Sequence, residues 1–356
     1  MRRLILLALL ASVPHVAAAA ADDAARWQVE LDGFLTEPLP ALRRVPRGFR
    51  IVTLSNLAEW YASRAKIDAI DGGIARQRLD AILALADSAA VSPYAPGKVM
   101  TVRLGHHGLY LSHYNIILAA HQAVHRSGRH RALSRGISRH LVQLSDNPWA
   151  HAPSYPGRAP RWPADQAALL FSLWLHDQAY GTQLADGPIA RWLAVLQRKT
   201  SRDAHGLPVS EITGATRTSA LPRGCALSFS VRYMAAFAPD AATQLWGRYR
   251  ERYAVSLLSM MGLREWPPGV EGPIDVDSGP IVLGVGAAAT GLGLGAARAV
   301  GDPESHRRLR EAMDRVYALA PDRVRRIGDA ILARSIAAVG LHLERWYDIG
   351  AAPHRL

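Results

Sequence analysis

Apolar residues recur at helical spacing along most of the chain, and no stretch alternates apolar and polar residues for long enough to predict a β-sheet. Segments 167–174 and 281–297 are almost free of charge, whereas the segments that follow them, 190–199 and 305–317, carry charge on one face. The pattern predicts helices that alternate between full burial and an amphipathic position. We expect these helices near 54–71, 75–88, 106–126, 130–145, 163–180, 188–200, 223–237, 240–261, 280–300, 303–319 and 323–347.

The breaks between these helices predict that they form pairs. Short breaks such as Gly72-Gly73 separate partners, whereas longer segments rich in proline and glycine, such as 91–105 and 146–162, separate one pair from the next. Pairs begin about every 43–60 residues, the length of a helical hairpin with its loop. Six hairpins closed into a ring predict an all-α (α/α)6 barrel, with an open α-solenoid as the alternative. The long segments all precede inner helices, so we expect a site at that end.

The N-terminus has the composition of a secretory signal peptide. Arg2 and Arg3 precede a ten-residue apolar run, 4–13, which is followed by the small residues of 17–21. The run is too short to span a bilayer. We therefore expect residues 1–21 to be a signal peptide and residues 22–356 to be a single domain, periplasmic or secreted, without stable membrane insertion after cleavage.

Composition narrows the choice of function. The chain has 356 residues, a formal charge of +12 and one cysteine, Cys225, which excludes an intramolecular disulfide and a cysteine-rich metal site. The positive charge, which falls to +10 without Arg2 and Arg3, is spread over predicted outer helices, so we expect no nucleic-acid partner.

His121 and His125 lie four residues apart, but no HExxH pattern occurs, so neither a metal nor a cofactor is predicted. Homo-oligomerisation is left open.

The glycine-rich segment 279–295 admits three interpretations. Residues 284–289 match the letters of a dinucleotide-binding fingerprint, but that motif requires a βαβ unit and helical pairs lie on both sides. A membrane span is disfavoured as well, because glycine and alanine are weakly apolar and Arg298 closes the run. We expect an inner helix with Pro280 in its first turn and glycines at its contacts with neighbouring helices.

An acidic loop precedes that helix. Glu271, Asp275 and Asp277 fall within seven residues, and Asp275 and Asp277 lie on one side of an extended segment. One interpretation is that Asp277 or Ser278 caps the helix. A carboxylate not used in this way is a candidate for acid/base catalysis, because neighbouring carboxylates separate each other's pKa values.

Further candidate residues lie at the starts of predicted inner helices. Asp165, beside Trp162, either interacts with its helix dipole or points into the barrel mouth with a raised pKa. His113 is either a buried core histidine or a catalytic residue. Arg223 is expected to bind an anion or to pair with Asp165 or Asp275.

Several segments are similar to one known family: His113-Tyr-Asn-Ile-Ile, Phe171-Ser-Leu-Trp-Leu-His-Asp177, Arg191-Trp-Leu, Ala238-Pro-Asp240, Asp275-Val-Asp277 and the Ala-Val-Gly-Asp302 ending. Over about half to two thirds of its length, the chain resembles the linalool dehydratase/isomerase family. The resemblance implies a periplasmic (α/α)6 barrel that hydrates, dehydrates or isomerises a terpene alcohol without a cofactor. It also implies that His113 is the catalytic histidine.

The chain departs from the family at other site positions. Asp165 stands at the position of one active-site cysteine, and the second cysteine has no counterpart, since 153–162 contains none. Arg223 occupies an aromatic position of the family's pocket. A site with a carboxylate and an arginine in place of two thiols is more polar, so the resemblance predicts the fold but not the linalool substrate.

These observations leave three hypotheses about function. In the first, an exported hydro-lyase or isomerase, Asp165, Asp275 or Asp277 protonates the leaving hydroxyl of a small alcohol and His113 takes or relays a proton. The second is a carbohydrate-active barrel with paired carboxylates, in which tryptophans stack on sugars. The third is a non-catalytic ligand-binding barrel. The residues predicted to bind the substrate are Tyr61, Trp162, Arg223, Trp266 and Glu271.

Overall fold

The computed structural model describes residues 20–98, 104–158, 160–214, 217–218, 221–319 and 330–347. The predicted signal peptide lies almost wholly outside these residues. Within them the protein is predominantly α-helical, which confirms the all-α prediction, and no helix is long and apolar enough to cross a membrane. The helices are α1 (Ala20–Thr36), α2 (Pro38–Arg43), α3 (Arg47–Lys66), α4 (Gly72–Ala86), α5 (Gly108–His125), α6 (Arg131–Ser145), α7 (Pro163–Tyr180), α8 (Asp186–Leu196), α9 (Gly224–Phe237), α10 (Pro239–Tyr253), α11 (Ala287–Ala299), α12 (Pro303–Leu319) and α13 (Ile331–His342).

Short antiparallel hairpins interrupt the helices, contrary to the expectation that the chain has no strands. They pair β1 (Ile212–Gly214) with β2 (Arg217–Thr218), β3 (Ala254–Leu257) with β4 (Met260–Leu263), and β5 (Ile281–Val282) with β6 (Val285–Gly286).

Two of these hairpins replace predicted helical turns. The predicted helix 240–261 ends at Tyr253, where β3 follows, and the predicted helix 280–300 begins only at Ala287, after β6. Leu258 and Leu283 lie at the two hairpin turns with φ of 53° and 52°. This left-handed conformation cannot continue a right-handed helix. Pro280 therefore precedes β5 and is not in the first turn of a helix.

Six helices are packed as successive neighbours. The order of packing is α3, α5, α7, α9, α11 and α13, with each helix against the next. Helix α13 also packs against α3. Every residue from Gly108 to His121 of α5 is buried, whereas the following α6 buries only one face. The predicted alternation of buried and amphipathic helices is thus confirmed for this pair.

The remaining helices pack on the six. Helix α4 contacts α3 and α5, α6 contacts α5 and α7, and α8, α10 and α12 contact α7, α9 and α11 respectively. Helix α1, which the sequence pattern did not predict, contacts α13 and α4 and buries Trp27, Leu31 and Phe34. The first helix of the described chain therefore lies beside the last.

Glycine permits the close contact between α11 and α13. A Cβ atom on Gly340 would lie 2.9 Å from the Cβ of Leu294 and 3.3 Å from the backbone nitrogen of Gly295. A Cβ on Gly293 would overlap Leu263 of β4. The expectation that glycines lie at helix contacts is therefore confirmed for this part of the segment.

Candidate functional site

A charged network lies where α9 begins. The guanidinium of Arg223, the N-cap residue of α9, donates from Nε to Glu265 at 2.9 Å and from both terminal nitrogens to the Asp275 carboxylate at 2.9 Å each. It also lies over the ring of Trp266, 4.8 Å from the centroid. Two parallel hydrogen bonds hold the acidic loop in one orientation relative to α9. The interpretation in which Arg223 pairs with Asp275 is confirmed.

Asp275 organises the acidic loop and carries a stable negative charge. Its Oδ1 accepts hydrogen bonds from the backbone nitrogens of Asp277 at 3.0 Å and Ser278 at 2.9 Å. Burial raises its pKa, but the hydrogen bonds from Arg223 and from these backbone groups outweigh burial, so the pKa lies below its ordinary value. Asp275 is therefore ionised near neutrality and is already fully engaged.

The capping interpretation for Asp277 or Ser278 is wrong. Helix α11 begins at Ala287, and its N-cap residue is Gly286. Ser278 is instead buried in the loop, where its hydroxyl accepts from the backbone nitrogen of Asp275. The reason is that the β5–β6 hairpin separates the acidic loop from the helix. Asp277 is consequently not needed as a cap.

Among the carboxyl groups that the sequence predicted for the site, Asp165 and Asp277 have raised pKa values. Asp165 is half-buried in the first turn of α7; burial and, less strongly, the charge of Asp277 raise its pKa to about 6, while the nearby Ser154 hydroxyl lowers it. The pKa of Asp277 is raised by burial and by Asp275, and Arg223 lowers it. Two carboxyls with raised pKa values beside one with a lowered pKa provide both a proton donor and a proton acceptor near neutrality.

Tyr155 adds a residue that sequence reasoning missed. Burial is the largest cause of its raised pKa, and the charges of Asp165 and Asp277 both raise it further, which places its phenol near the two carboxyls. Its ring meets Trp162 edge-on at 6.1 Å between centroids. The 146–162 segment was already expected to precede an inner helix, but nothing in the pattern distinguished Tyr155.

The space beside Asp165 is small. A cleft with about 150 Å³ of empty space is lined by residues from the starts of α5 and α7 and from the segment before α7. Preformed ligand pockets usually enclose about 300–1,000 Å³. The cleft leaves no room for a water-sized sphere, so a ligand group would reach Asp165 only if the surrounding side chains moved. Its lining residues are Gly108, Leu109, Ala152, Ser154, Asp165, Gln166 and Leu169.

Glu265 is a second residue that the sequence analysis did not identify. Its side chain is fully buried, and besides Arg223 it accepts hydrogen bonds from the backbone nitrogen of Cys225 at 3.3 Å and from its thiol at 3.0 Å. Burial raises the pKa of Glu265 and, with the negative charge of Glu265, raises the pKa of the Cys225 thiol. Cys225 is therefore a neutral hydrogen-bond donor and not an activated nucleophile.

His113 lies apart from these carboxylates, on the buried side of α5. Its Nδ1 lies 2.6 Å from the Ser55 hydroxyl, which donates its own proton to the Val52 carbonyl oxygen at 3.0 Å. His113 Nε2 is buried, and the described residues offer it no hydrogen-bond partner. Burial and the charge of Arg232 lower its pKa to about 3. No interaction described for His113 joins it to Asp165, Asp275 or Asp277.

An ion pair occupies the interior near His113. Arg232 of α9 donates to the Glu59 carboxylate of α3 at 2.7 Å and to the Asn56 side-chain oxygen at 2.9 Å. Asn56 donates in turn to the hydroxyl of Ser335 on α13 at 3.2 Å. The signal in the sequence was a single charged residue within each of two otherwise apolar helical stretches. Sequence reasoning did not use it.

Two predicted substrate-binding residues are not part of the charged network. Tyr61 is fully buried, and its hydroxyl donates to Asp32 of α1 at 2.8 Å, beside Arg78 of α4, so it faces the neighbouring helices and not the start of α9. Glu271 is exposed in the acidic loop. The expectation for Tyr61 failed because α1, which Tyr61 contacts, was not predicted.

Comparison of the sequence with known proteins found no matching family model and no matching curated protein.

Proposed function

We propose that the protein is an exported (α/α)6 barrel that catalyses dehydration, hydration or isomerisation of a small alcohol by acid/base chemistry, without a cofactor. The observation that carries the proposal is the pair Asp165 and Asp277, whose pKa values are both raised beside the ionised Asp275. Carboxyl groups whose surroundings shift their pKa values apart are suited to act as acid and base.

The closure of the six inner helices into a barrel is part of the proposal. The contact of α13 with α3 supports a closed arrangement of six inner helices, and α1 beside α13 supplies an outer helix for the last of them. Export through a signal peptide at 1–21 and a single domain over 22–356 are parts of the same proposal. The resemblance to the linalool dehydratase/isomerase family, which implies this fold and reaction class, agrees with it.

The two carboxyls have complementary roles in this reaction. Protonated Asp165 donates its proton to the hydroxyl oxygen of the alcohol, and the C–O bond breaks with release of water. Ionised Asp277 removes a proton from the adjacent carbon, whose C–H electrons form the alkene. Hydration is the reverse sequence. Arg223 binds Asp275 and so holds the loop that carries Asp277.

His113 has a smaller part than the sequence analysis expected. With a pKa of about 3 it is neutral at working pH and is a weak base. Its Nε2 is buried, and the described residues offer it no hydrogen-bond partner. We assign the proton transfers to the carboxyls for this reason.

Apolar residues around the acidic loop favour an apolar alcohol. Ile274 and Val276 flank Asp275 and are 65% and 61% exposed, and Val282 and Leu283 at the β5–β6 turn are 65% and 77% exposed. Exposed apolar side chains clustered at a polar site are typical of a surface that meets apolar ligands. The carbon skeleton of the substrate would contact these residues while its hydroxyl reaches Asp165.

A carbohydrate-active barrel is the second candidate. Tyr155 and Trp162 beside Asp165 favour it, because aromatic rings stack on sugars. Against it, the guanidinium of Arg223 covers a face of Trp266, which the sequence predicts for stacking together with Trp149 and Trp162. The third hypothesis, a non-catalytic binding barrel, requires the carboxylates to be used in ion pairs, which holds for Asp275 but leaves Asp165 and Asp277 unexplained.

The experiment is an assay of purified protein with short tertiary and allylic alcohols, in which alkene formation is followed by gas chromatography. Asp165→Asn should lower turnover about 10²–10⁴-fold, the usual loss for a general acid. Asp314→Asn, an exposed carboxylate on α12 that is 68% exposed, is the matched control and should leave turnover unchanged. Equal turnover in the wild type and in Asp165→Asn removes Asp165 from the mechanism, and release of sugars from glycosides supports the second candidate.

A further inference from the structure

Two histidines and a carboxylate converge at the end of α5 that is remote from Asp165. His121 Nε2 lies 2.9 Å from Asp80 Oδ1, and His125 Nε2 lies 3.5 Å from the same oxygen. The imidazole rings of His121 and His125, one helical turn apart, are parallel within 3° at 3.8 Å between centroids. One donor atom from each of the three residues lies within 4.8 Å of the others.

We propose that Asp80, His121 and His125 bind a divalent transition-metal ion, with Zn²⁺ the best fit. Two imidazole nitrogens and one carboxylate oxygen are a common ligand set for Zn²⁺. Tetrahedral bonds of about 2.0–2.1 Å place neighbouring ligand atoms about 3.3 Å apart. The two observed separations from Asp80 Oδ1, 2.9 and 3.5 Å, bracket that value. The stacked imidazoles, parallel within 3°, would have to rotate so that both Nε2 lone pairs point at one ion.

The hydrogen bonds of the cluster leave His125 poorly satisfied. His121 has a close partner in Asp80, whereas the contacts of His125 Nε2 are 3.5 Å to Asp80 and 3.4 Å to the Arg76 carbonyl oxygen. His121 and Asp80 are joined by a hydrogen bond at 2.9 Å between Nε2 and Oδ1. A metal ion would bind to the lone pairs of both imidazoles. An ion pair with Asp80 alone does not explain why both rings lie beside this carboxylate.

His130 supports the same interpretation from the neighbouring element. Its ring meets His121 edge-on at 4.8 Å between centroids, and its Nε2 is buried without a hydrogen-bond partner. It lies outside the set of ligand atoms that are mutually within 4.8 Å. We assign the fourth coordination position to water, with His130 beside it. Water and ion can enter because the Asp80 side chain is 52% exposed.

The ion would act as a structural clamp. Asp80 lies on α4 and both histidines lie near the end of α5, so one ion would join an outer helix to an inner one. The proposed acid/base residues lie in the first turn of α7 and in the acidic loop before β5. The clamp is therefore independent of the proposed function, and its loss should lower stability and leave the chemistry intact.

The test uses the full, untagged chain after treatment with a chelator. Calorimetric titration with ZnCl₂ should give one equivalent bound and a higher melting temperature, because a ligand that binds only the native state stabilises it. Co²⁺ in place of Zn²⁺ should give the visible absorption of a tetrahedral site. Asp80→Asn and His125→Gln, which alter side chains that are not fully buried, should each weaken Zn²⁺ binding at least tenfold.

His205→Gln is the matched control, because this histidine is exposed and lies away from the cluster in sequence and in the fold. It should bind Zn²⁺ as the wild type does, and circular dichroism should show the same helix content in all variants. Failure of the wild type to bind one equivalent overturns the proposal. Unchanged affinity in both Asp80→Asn and His125→Gln also overturns it, since the ion would then be held elsewhere.

Discussion

Arg232 and Glu59 form an ion pair between helices α9 and α3, with 2.7 Å between the guanidinium nitrogen and the carboxylate oxygen. Their side chains are only 5% and 1% exposed. Burial raises the pKa of Glu59, and Arg232 counteracts this effect. The pair therefore joins two helices that are far apart in sequence, and each charge depends on the other for its solvation.

Removing one member of this pair should destabilise the protein strongly. Arg232→Met leaves the Glu59 carboxylate buried without its partner, and such a change costs about 3–5 kcal/mol. The double variant Glu59→Leu/Arg232→Met should lose much less than the sum of the two single variants. Urea unfolding of all four proteins measures the coupling. Additive losses would show that the two charges do not stabilise each other.

The stability of the protein should fall as the pH rises from about 4 to about 6 through Asp165. Its pKa is about 6 in the folded protein and 3.8 in the reference state, so between these values the native state binds more protons than the unfolded state. Asp165→Asn should therefore raise the melting temperature at pH 7 relative to the wild type. The gain should disappear near pH 4, where both side chains are neutral.

Thermal melts across pH 4–8 check this prediction, with Asp314→Asn as the control that should follow the wild type at every pH. A gain of equal size at pH 4 and pH 7 would contradict the assignment of the raised pKa to Asp165. Stability gained on loss of an active-site charge is a common property of catalytic groups.

Two glycine-to-alanine substitutions should have opposite effects. A Cβ on Gly224, the first residue of α9, would lie 2.7 Å from the Cβ of Ala289 and would overlap the Arg264 carbonyl oxygen. Gly224→Ala should cost about 1–3 kcal/mol of unfolding free energy. Gly247→Ala in α10, where no atom lies within 4 Å of the new Cβ, should gain about 0.5–1 kcal/mol.

Denaturant unfolding of the two variants measures both effects on one scale. A stable Gly224→Ala protein would show that α9 can move away from the β4–β5 region without loss. In that case the position of Arg223 one residue earlier would also be adjustable.

Tyr61→Phe separates a structural from a functional role for Tyr61. It removes one hydrogen bond to Asp32, which retains its contacts with Arg78 at 2.7 Å and Gln28 at 3.0 Å. The expected loss is about 0.5–1.5 kcal/mol, with no change in turnover of the alcohol substrates. Lower turnover at unchanged stability would restore Tyr61 as a substrate-binding residue.

Local pattern predicted helix limits well where a proline starts the helix. The predicted limits 163–180 and 303–319 coincide with α7 and α12, because proline starts each helix and the apolar periodicity runs unbroken through it. The same reasoning failed at 254–261 and 280–286. There, positive-φ residues in hairpin turns and contacts with distant helices override a sequence that is equally apolar in either structure.

The sequence likewise identified some residues of the candidate site and missed others. Asp165, Arg223, Asp275 and Asp277 were found from the sequence because polar residues at helix starts and in long loops stand out from an apolar background. Glu265 was missed because its partners, Arg223 and Cys225, lie about 40 residues earlier in the chain. No local pattern reports a contact of that separation.

The sequence alone determined that the chain is helical, that buried and amphipathic helices alternate, and that carboxylates and an arginine precede certain buried helices. These features depend on periodicity and composition within one helix or loop. The tertiary structure alone decided which charges meet. It paired Arg223 with Asp275 and Glu265, placed Asp277 near Asp165, and put His113 beside Ser55 instead. The pKa of each group, and with it any chemistry, follows from burial and neighbours that come together only when the helices pack.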